Sequence, residues 1–333
     1  MNLSYTSAVF LVVLVSFMWG FWHQFVKKLG SWPLPAFMVW MFSCGTVVVW
    51  AVILLFRHIW IPEGIPQALR MASDKALIAS VCGAGFSVGM MINLYVVSKM
   101  GLIFSTSVTS TVSILLGTFL SALLGGLPED TSWGKLFIGA LILLCASWLC
   151  QAASREKNRN KGVSEQETAK TSIKYLLILF VYLLVFSPSY TVGMSLSVRT
   201  DLRMDGLPGP LAVGMLALGA TVAIVLICTG MLACTGQLRA LWRPEKKRCL
   251  VYALVGGICC LGGDLIHNIA SPVLSVAIAF PLANLSGVWQ YFWGIIGGEF
   301  HNSGRKAKLL LACGIGCYVL GVIWTALSRS GVI

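Results

Sequence analysis

Residues 211–234 read LAVGMLALGATVAIVLICTGMLAC, a run of 24 residues without a charged side chain. An α-helix rises about 1.5 Å per residue, so a segment of this length crosses the roughly 30 Å hydrocarbon core of a bilayer. In lipid, every backbone N–H and C=O must find a partner within the protein, and a helix provides all of these partners internally. The stretch therefore predicts a transmembrane helix.

The composition of the whole chain indicates many such helices. Of 333 residues, 57% are hydrophobic and only 11% are charged, and the mean hydropathy is +0.85. Soluble domains contain about 25% charged residues, so a large soluble enzyme is excluded. We predict an all-α polytopic membrane protein with ten transmembrane helices. The ten apolar stretches are 7–26, 34–56, 76–98, 101–125, 132–153, 173–195, 211–234, 249–270, 273–298 and 307–328.

A hydrophilic segment, 154–172, separates two sets of five predicted spans. It is charged and lacks large apolar side chains, which predicts a flexible linker. The chain carries 24 Lys and Arg against 12 Asp and Glu, a net charge of +12. The breaks after odd-numbered spans hold 17 of these basic residues, and the other breaks with the tail hold 7. Lys and Arg concentrate in cytoplasmic loops, so we expect a cytoplasmic linker and both termini outside the cell membrane.

The two sets of spans resemble each other at a fixed spacing of 175 residues. Two prolines before the second span, a Thr-Val pair, an asparagine and a glycine recur: Pro33/Pro208, Pro35/Pro210, Thr46-Val47/Thr221-Val222, Asn93/Asn268 and Gly139/Gly314. Because each set has an odd number of spans, the second copy must lie upside down in the membrane. We predict two inverted five-helix repeats, 1–153 and 173–333. Many secondary transporters have this plan and bind substrate near the membrane midplane between the repeats.

One predicted span contains an unusual group of polar residues. An ionisable side chain at the centre of a membrane helix costs about 2.5–3.5 kcal/mol on insertion scales, so each is a functional candidate. Asp264 is the only acid deep in a predicted span, and His267 and Asn268 follow on the same helical face. In one interpretation, Asp264 and His267 bind the coupling proton, since histidine titrates in the physiological range, and Asn268 binds substrate. In the other, Asp264 and His267 satisfy each other and stabilise the bundle.

Aromatic and polar residues in five other spans are candidates for substrate binding. Flat rings near the end of span 1 can stack on a sugar or a heterocycle, or they can form an aromatic belt at the membrane interface. A hydroxyl in span 4 can face a cavity or bond a neighbouring helix. The candidates are Trp19, Trp22, His23, Gln24, Asn93, Tyr95, Thr109, Tyr190, Asn284, Trp289 and Gln290.

Several other classes of function lack their sequence patterns here. The chain has no basic segment interleaved with aromatic residues for nucleic acid, and no GxxxxGK[ST] or HExxH motif. Its GxSxG match, GFSVG at 85–89, lies inside the predicted span 76–98 and not at the strand-to-helix turn that a catalytic serine of this motif requires. Its eleven cysteines lie mostly in apolar segments and lack the spacing of a zinc site. We therefore expect no catalytic residues, no metal or cofactor and no nucleic-acid partner. A lipid-handling enzyme or scramblase is the alternative from a different class.

Three short stretches resemble a known transporter family: FVKKLGSW (25–32), NLYVVSKMGL (93–102) and GGEFHNSGRK (297–306). With the five-plus-five layout, they are similar to the drug/metabolite transporter superfamily. They resemble most the branch with L-rhamnose–proton symporters, bacterial glucose-uptake permeases and ureide permeases. The resemblance implies proton-coupled uptake, by alternating access, of a small polar metabolite: a sugar, a ureide or a nucleobase-like compound. It does not identify the binding residues.

Transport in the opposite direction is the second possible function within transport. The alternative within transport is a proton-antiporting exporter of cationic or amphiphilic compounds, as in drug-efflux relatives. That function would require an acid in span 1, and span 1 has none. The expected partners are a small-molecule substrate, protons and the lipid bilayer, with the chain acting as a monomer or a homodimer.

Overall fold

The structure is a computed structural model. It describes residues 4–125, 133–159, 165–186, 188–199, 204–244, 246–274, 279, 282–301 and 303–327. Every regular element in these residues is a helix, and their only β-type pairing is an isolated bridge between Val198 and Leu207. The prediction of an all-α membrane protein is confirmed.

The described residues of the first half form a series of helices. They are α1 Tyr5–Phe21 with a 3-10 continuation Trp22–Lys28, α2 Leu34–Leu55, α3 Arg57–Trp60, α4 Ile65–Met71, α5 Ser73–Met100, α6 Leu102–Gly125 and α7 Trp133–Arg159. Pro33 caps α2 and Pro35 lies in its first turn, where a proline costs nothing because the first N–H groups have no partner in the helix. Gly101, at φ +94°, ends α5 and lets the chain turn directly into α6.

Within the described residues, the second half forms further α-helices, one 3-10 helix, Leu238–Leu241, and two π-helical turns. The helices are α8 Glu165–Val181, α9 Pro188–Ser197, α10 Gly209–Cys234, α11 Lys247–Gly257, α12 Gly263–Leu274, α13 Ser286–Ile296 and α14 Arg305–Leu327. The π-helical turns are Tyr182–Phe186, which continues α8, and Ile258–Gly262, which joins α11 to α12. Such turns are rare and often lie at functional sites.

Seven helices in the described part of the chain are long and apolar enough to cross a membrane. They are Tyr5–Lys28, Leu34–Leu55, Ser73–Met100, Phe137–Lys157, Gly209–Cys234, Lys247–Leu274 and Arg305–Trp324. The chain is therefore a multi-pass membrane protein. The predicted spans 101–125, 173–195 and 273–298 contain helices but are not among the seven, so the count of ten stays a prediction.

The structure differs from the sequence prediction at the linker. A flexible segment was expected over 154–172, but α7 continues to Arg159 and α8 begins at Glu165. These stretches are rich in Glu, Lys, Arg, Gln and Ala, which are good helix formers, and each continues a helix that the bilayer-length segment already nucleates. Residues 160–164 of the predicted linker lie outside the described residues.

Contacts between the two halves dominate the packing. Helix α2 packs against α10 and α11, α5 against α9 and α10, α1 against α12 and α13, α6 against α9 and α13, and α7 against α14. At the crossing of α2 and α10, the hydroxyl oxygens of Thr46 and Thr221 lie 2.6 Å apart. Each hydroxyl is also 3.1 Å from a backbone carbonyl oxygen of the other helix.

Glycines allow α5 and α10 to approach closely. A Cβ atom added to Gly83 would collide with the carbonyl oxygen of Leu216, and one added to Gly219 would collide with that of Ser80. Helices in membranes associate through van der Waals contact and hydrogen bonds, so small residues that bring backbones together are favoured at their interfaces.

Candidate functional site

A cavity of about 110 Å³ lies inside the helix bundle. Side chains from α1, α5, α6, α9, α12 and α13 and from both π-helical turns form its wall. One water molecule needs about 10–15 Å³ of such space, so the cavity has room for several waters or one small molecule. Both halves of the chain contribute to it.

Most of the residues predicted for a site line this cavity. They are Trp19, Trp22, His23, Asn93, Thr109, Tyr190, Asp264, Asn284 and Gln290. The other predicted residues lie outside its wall: Gln24, Tyr95, His267, Asn268 and Trp289. The structure thus brings together side chains that are up to 271 positions apart in the sequence, from Trp19 to Gln290.

Helix geometry explains why Tyr95 points away from the cavity. It follows Asn93 by two residues, which rotates it by about 200° around the axis of α5. Its side chain is 42% exposed and packs near the ring of Tyr175 and the ammonium group of Lys99. This environment is typical of an aromatic residue near a membrane interface.

Gln24 and Trp289 are also engaged elsewhere. The side-chain oxygen of Gln24 accepts a hydrogen bond from the Lys28 ammonium group at 3.1 Å. The Trp289 indole N–H donates to the Ser16 hydroxyl at 3.2 Å, and its ring meets Phe17 edge-to-face. Trp289 therefore joins α13 to α1 behind the cavity.

Asp264 is a buried acid at the cavity wall. The residue is only 2% exposed, and the Trp19 indole lies close to its carboxyl group. Its Oδ2 atom has no hydrogen-bond partner within the described residues. A buried carboxylate without full compensation is costly unless it takes up a proton or a ligand. Asp264 therefore has the environment of a group that binds one of these.

His267 and Asn268 contact Tyr190 instead of the Asp264 carboxyl group. The Asn268 amide donates to the Tyr190 hydroxyl oxygen at 3.0 Å, and that oxygen lies 3.1 Å from Nδ1 of His267. The tautomer of His267 decides which atom of this pair is the donor. These two residues therefore position the Tyr190 ring at the cavity, and no ion pair joins the described residues Asp264 and His267.

Two hydroxyls of α6 orient amide side chains at the cavity. The Ser105 hydroxyl donates to Oδ1 of Asn93 at 2.7 Å, and the Thr106 hydroxyl donates to Oε1 of Gln290 at 2.6 Å. Because both amide oxygens are occupied, the amide nitrogens of Asn93 and Gln290 remain as donors for a ligand. One of these amides comes from each half of the chain.

His23 offers an acceptor at the same wall. Its Nδ1 atom lies 2.8 Å from the carbonyl oxygen of Trp19. A carbonyl oxygen can only accept, so Nδ1 carries the proton and Nε2 of the neutral ring is an acceptor. The ring stacks on Trp22 with 3.9 Å between ring centroids.

Sequence reasoning missed several residues of the wall. They are Phe86, Met90, Ser113, Tyr182, Phe186 and Cys260. Ser286, one of the polar residues of the predicted span 273–298, also lines the wall. Tyr182, Phe186 and Cys260 lie in the π-helical turns, which rotate side chains out of the ordinary helical register and leave no periodic pattern in the sequence. Pro188, two residues after the end of the first turn, was the one available sign of irregular backbone there. Among the described residues, no Lys or Arg lines the cavity.

The Glu299 side chain connects three elements of the bundle through one ion pair and two hydrogen bonds. Glu299, after α13, pairs with Lys27 after α1. Its carboxylate oxygens also accept from the backbone N–H groups of Leu102 at 2.8 Å and Ile103 at 3.1 Å, at the start of α6. A carboxylate at a helix N-terminus satisfies unpaired donors and interacts favourably with the helix dipole. The contact therefore holds α1, α6 and α13 together at one end of the bundle.

No model of a known protein family matches this chain, and no curated protein sequence matches it. Within the described ranges, no group of three or more His, Cys, Asp and Glu side chains is placed to hold a metal ion. The geometry of the cavity is therefore the basis for assigning a function.

Proposed function

We propose that the chain is a secondary active transporter that takes up a small polar metabolite together with protons, by alternating access. The observation that carries this proposal is the cavity. It lies inside the bundle between the two halves of the chain, and its wall combines a buried acid, Asp264, with aromatic rings and amide donors. Secondary transporters bind their substrates in such a place.

The packing supports ten spans arranged as two inverted repeats, 1–153 and 173–333. Helix α1 packs against α12, and the corresponding helices of the opposite repeats, α9 and α5, also pack together. Helix α2 packs against α11, and the corresponding pair is α10 and α5. The bonds of Thr46 and Thr221 follow the same relation, because their carbonyl partners Ala217 and Phe42 are also separated by 175 residues. Two repeats that are related by a two-fold axis produce contacts in matched pairs of this kind.

The Glu299 contact supports the proposed family, the drug/metabolite transporter superfamily and its branch of rhamnose, glucose and ureide transporters. Each of the three stretches that carry the resemblance supplies one part of this contact. Lys27 lies in 25–32, Leu102 ends 93–102, and Glu299 lies in 297–306. Stretches far apart in the chain thus meet at one point beside the cavity.

The donors and acceptors of the cavity favour a neutral polar substrate. With no Lys or Arg among the described wall residues, an anion would lack a counter-charge there. Asn93 and Gln290 can donate to carbonyl or hydroxyl oxygens, and His23 and Asp264 can accept from O–H or N–H groups. The Trp19 and Trp22 rings suit the flat face of a sugar or a heterocycle. Sugars, ureides and nucleobase-like compounds all present this pattern.

Asp264 is the proposed coupling residue. When protonated it is neutral, and it can pass through the occluded state in a low-dielectric interior at little cost. When ionised and without ligand, it resists occlusion because a buried carboxylate is costly. Substrate and proton are therefore transported together, because the proton removes the charge of Asp264 and the substrate fills the hydrogen bonds of the cavity.

A second function within transport is favoured by one observation. Asp264 lies beside Trp19, whose ring packs edge-to-face with Tyr190 at 5.9 Å between centroids. A carboxylate near aromatic faces also suits an organic cation. This arrangement favours a proton-antiporting exporter of cationic or amphiphilic compounds as the alternative.

Ligand-induced stabilisation distinguishes the two functions. The purified chain in detergent is heated with millimolar sugars, ureides, nucleobases or quaternary amines. A true ligand raises the apparent stability by RT ln(1 + [L]/Kd), so even a weak one is detected. We expect a neutral compound to raise the unfolding temperature and quaternary amines to leave it unchanged. If only quaternary amines stabilise the protein, the proposal of uptake is wrong and the exporter function takes its place.

The proposed orientation predicts the outcome of a reporter experiment. A reporter fused at Ser164 should lie in the cytoplasm, and one fused after Ile333 should lie outside. The reason is the excess of 17 basic residues on the linker side against 7 on the other. Both reporters on the same side would contradict the count of ten spans or the inverted repeat.

A further inference from the structure

A second cavity opens at the surface beside the start of α14. Its volume is about 440 Å³, and it shares no lining residue with the central cavity. Ile295 at the end of α13 and His301 in the following turn form one side, and residues of α14 form the other. Ile295 is 44% exposed, so the cavity faces the surroundings of the bundle and not its interior.

The α14 side of this groove changes from basic to apolar along the helix. Lys308, Leu311, Ala312 and Ile315 line it at positions i, i+3, i+4 and i+7, which places them on one helical face. Ile315 lies about 10 Å further along the helix axis than Lys308, at about 1.5 Å per residue. The groove is therefore basic where α14 begins and apolar toward the membrane interior. A phospholipid has the same order of polarity.

The charges at the start of α14 are not balanced by the protein. Its first turn contains Arg305, Lys306 and Lys308 and no acid, although a helix N-terminus favours negative charge. Lys306 pairs with Glu156 at 3.5 Å. Among the described residues, neither Arg305 nor Lys308 has an acidic partner. An anion at this point would satisfy both the lysine and the helix end.

We propose that this groove binds one phospholipid with an anionic headgroup. The phosphate lies at His301, Lys308 and the start of α14, and an acyl chain lies along Leu311, Ala312 and Ile315. Basic pockets between membrane helices on the cytoplasmic side bind anionic lipids in this way. The site requires only that the chain is embedded in a membrane, so it is independent of the proposed transport.

Native mass spectrometry of the full chain in detergent, titrated with dioleoyl phosphatidylglycerol or dioleoyl phosphatidylcholine, tests the site. We expect one phosphatidylglycerol to bind more tightly than phosphatidylcholine. Lys308→Gln should weaken that binding about fivefold, the effect of removing one basic residue near a membrane surface. Lys247→Gln is the matched control, since Lys247 is also exposed among basic residues at the start of a helix but lies outside the groove. It should leave the affinity unchanged.

A second variant tests the apolar part of the groove with every charge retained. Ala312→Phe fills the apolar part of the groove and should also lower the occupancy by phosphatidylglycerol. Inorganic phosphate should not displace the lipid, because it has no acyl chain to contact the apolar part of the groove. Equal losses in Lys308→Gln and Lys247→Gln would overturn the proposal in favour of general surface charge. An unchanged affinity in Ala312→Phe, or displacement by phosphate, would overturn it in favour of a simple anion site.

Discussion

Replacement of Asp264 by asparagine is expected to abolish accumulation of substrate against a gradient while leaving substrate binding measurable. Asparagine keeps the shape and the neutral state of the protonated acid, so occlusion with substrate remains possible. It cannot exchange a proton, so a pH gradient can no longer drive the cycle. The measurement is uptake into proteoliposomes with and without an imposed pH gradient. If Asp264→Asn still concentrates substrate, the aspartate is structural, and His23 becomes the next candidate at the cavity wall.

His267→Gln is the comparison variant for this experiment. The ring contacts the Tyr190 hydroxyl group and does not bond the Asp264 carboxyl group. We therefore expect weaker substrate binding, because the Tyr190 ring loses one of its supports, together with intact coupling to the pH gradient. Loss of coupling in His267→Gln at unchanged affinity would instead restore the interpretation of Asp264 and His267 as a joint proton site.

A large loss of stability is expected from Gly219→Ala. The new Cβ would collide with the carbonyl oxygen of Ser80, a backbone atom that cannot move without shifting α5. Overpacking of this kind costs about 1–3 kcal/mol, and more when the backbone must move. The fraction of protein that remains monodisperse after heating in detergent measures the effect.

Gly230→Ala, in the same helix, is the control for that substitution. No atom lies within 4 Å of a Cβ at position 230, and alanine is a better helix former than glycine. We expect unchanged or slightly raised stability. If Gly219→Ala and Gly230→Ala were equally stable, the close approach of α5 and α10 would be wrong.

Seven of the ten predicted spans coincide with helices that are long and apolar enough to cross a membrane, and they could be predicted because their cause is local. A run of apolar residues of bilayer length must form a helix, whatever packs around it. The repeat spacing likewise indicated that Thr46 and Thr221 correspond, and the structure places their hydroxyls in contact. The segment 154–172 differs from the predicted flexible linker because its charged residues are good helix formers. They continue helices that the neighbouring apolar segments nucleate.

The residues of the cavity were harder to predict because their positions depend on long-range packing. Asp264 stood out because a buried acid is rare in a membrane helix. Glu299 did not, since its partners Lys27 and Leu102 lie almost 200 positions or more away in the sequence. Tyr182 and Cys260 lie in π-helical turns, where ordinary helical periodicity assigns the wrong face. Tyr95 shows the converse error, a polar aromatic residue near Asn93 that faces outward.

The central claim is that this chain moves protons together with a neutral solute through the Asp264 cavity. Its most direct test uses proteoliposomes that contain the purified chain and an internal pH-sensitive dye, with no initial gradient of pH or potential. Addition outside of a neutral compound that stabilises the protein should acidify the interior, and Asp264→Asn liposomes should show no change. Entry of the compound without acidification, or acidification that persists in Asp264→Asn, would contradict the claim.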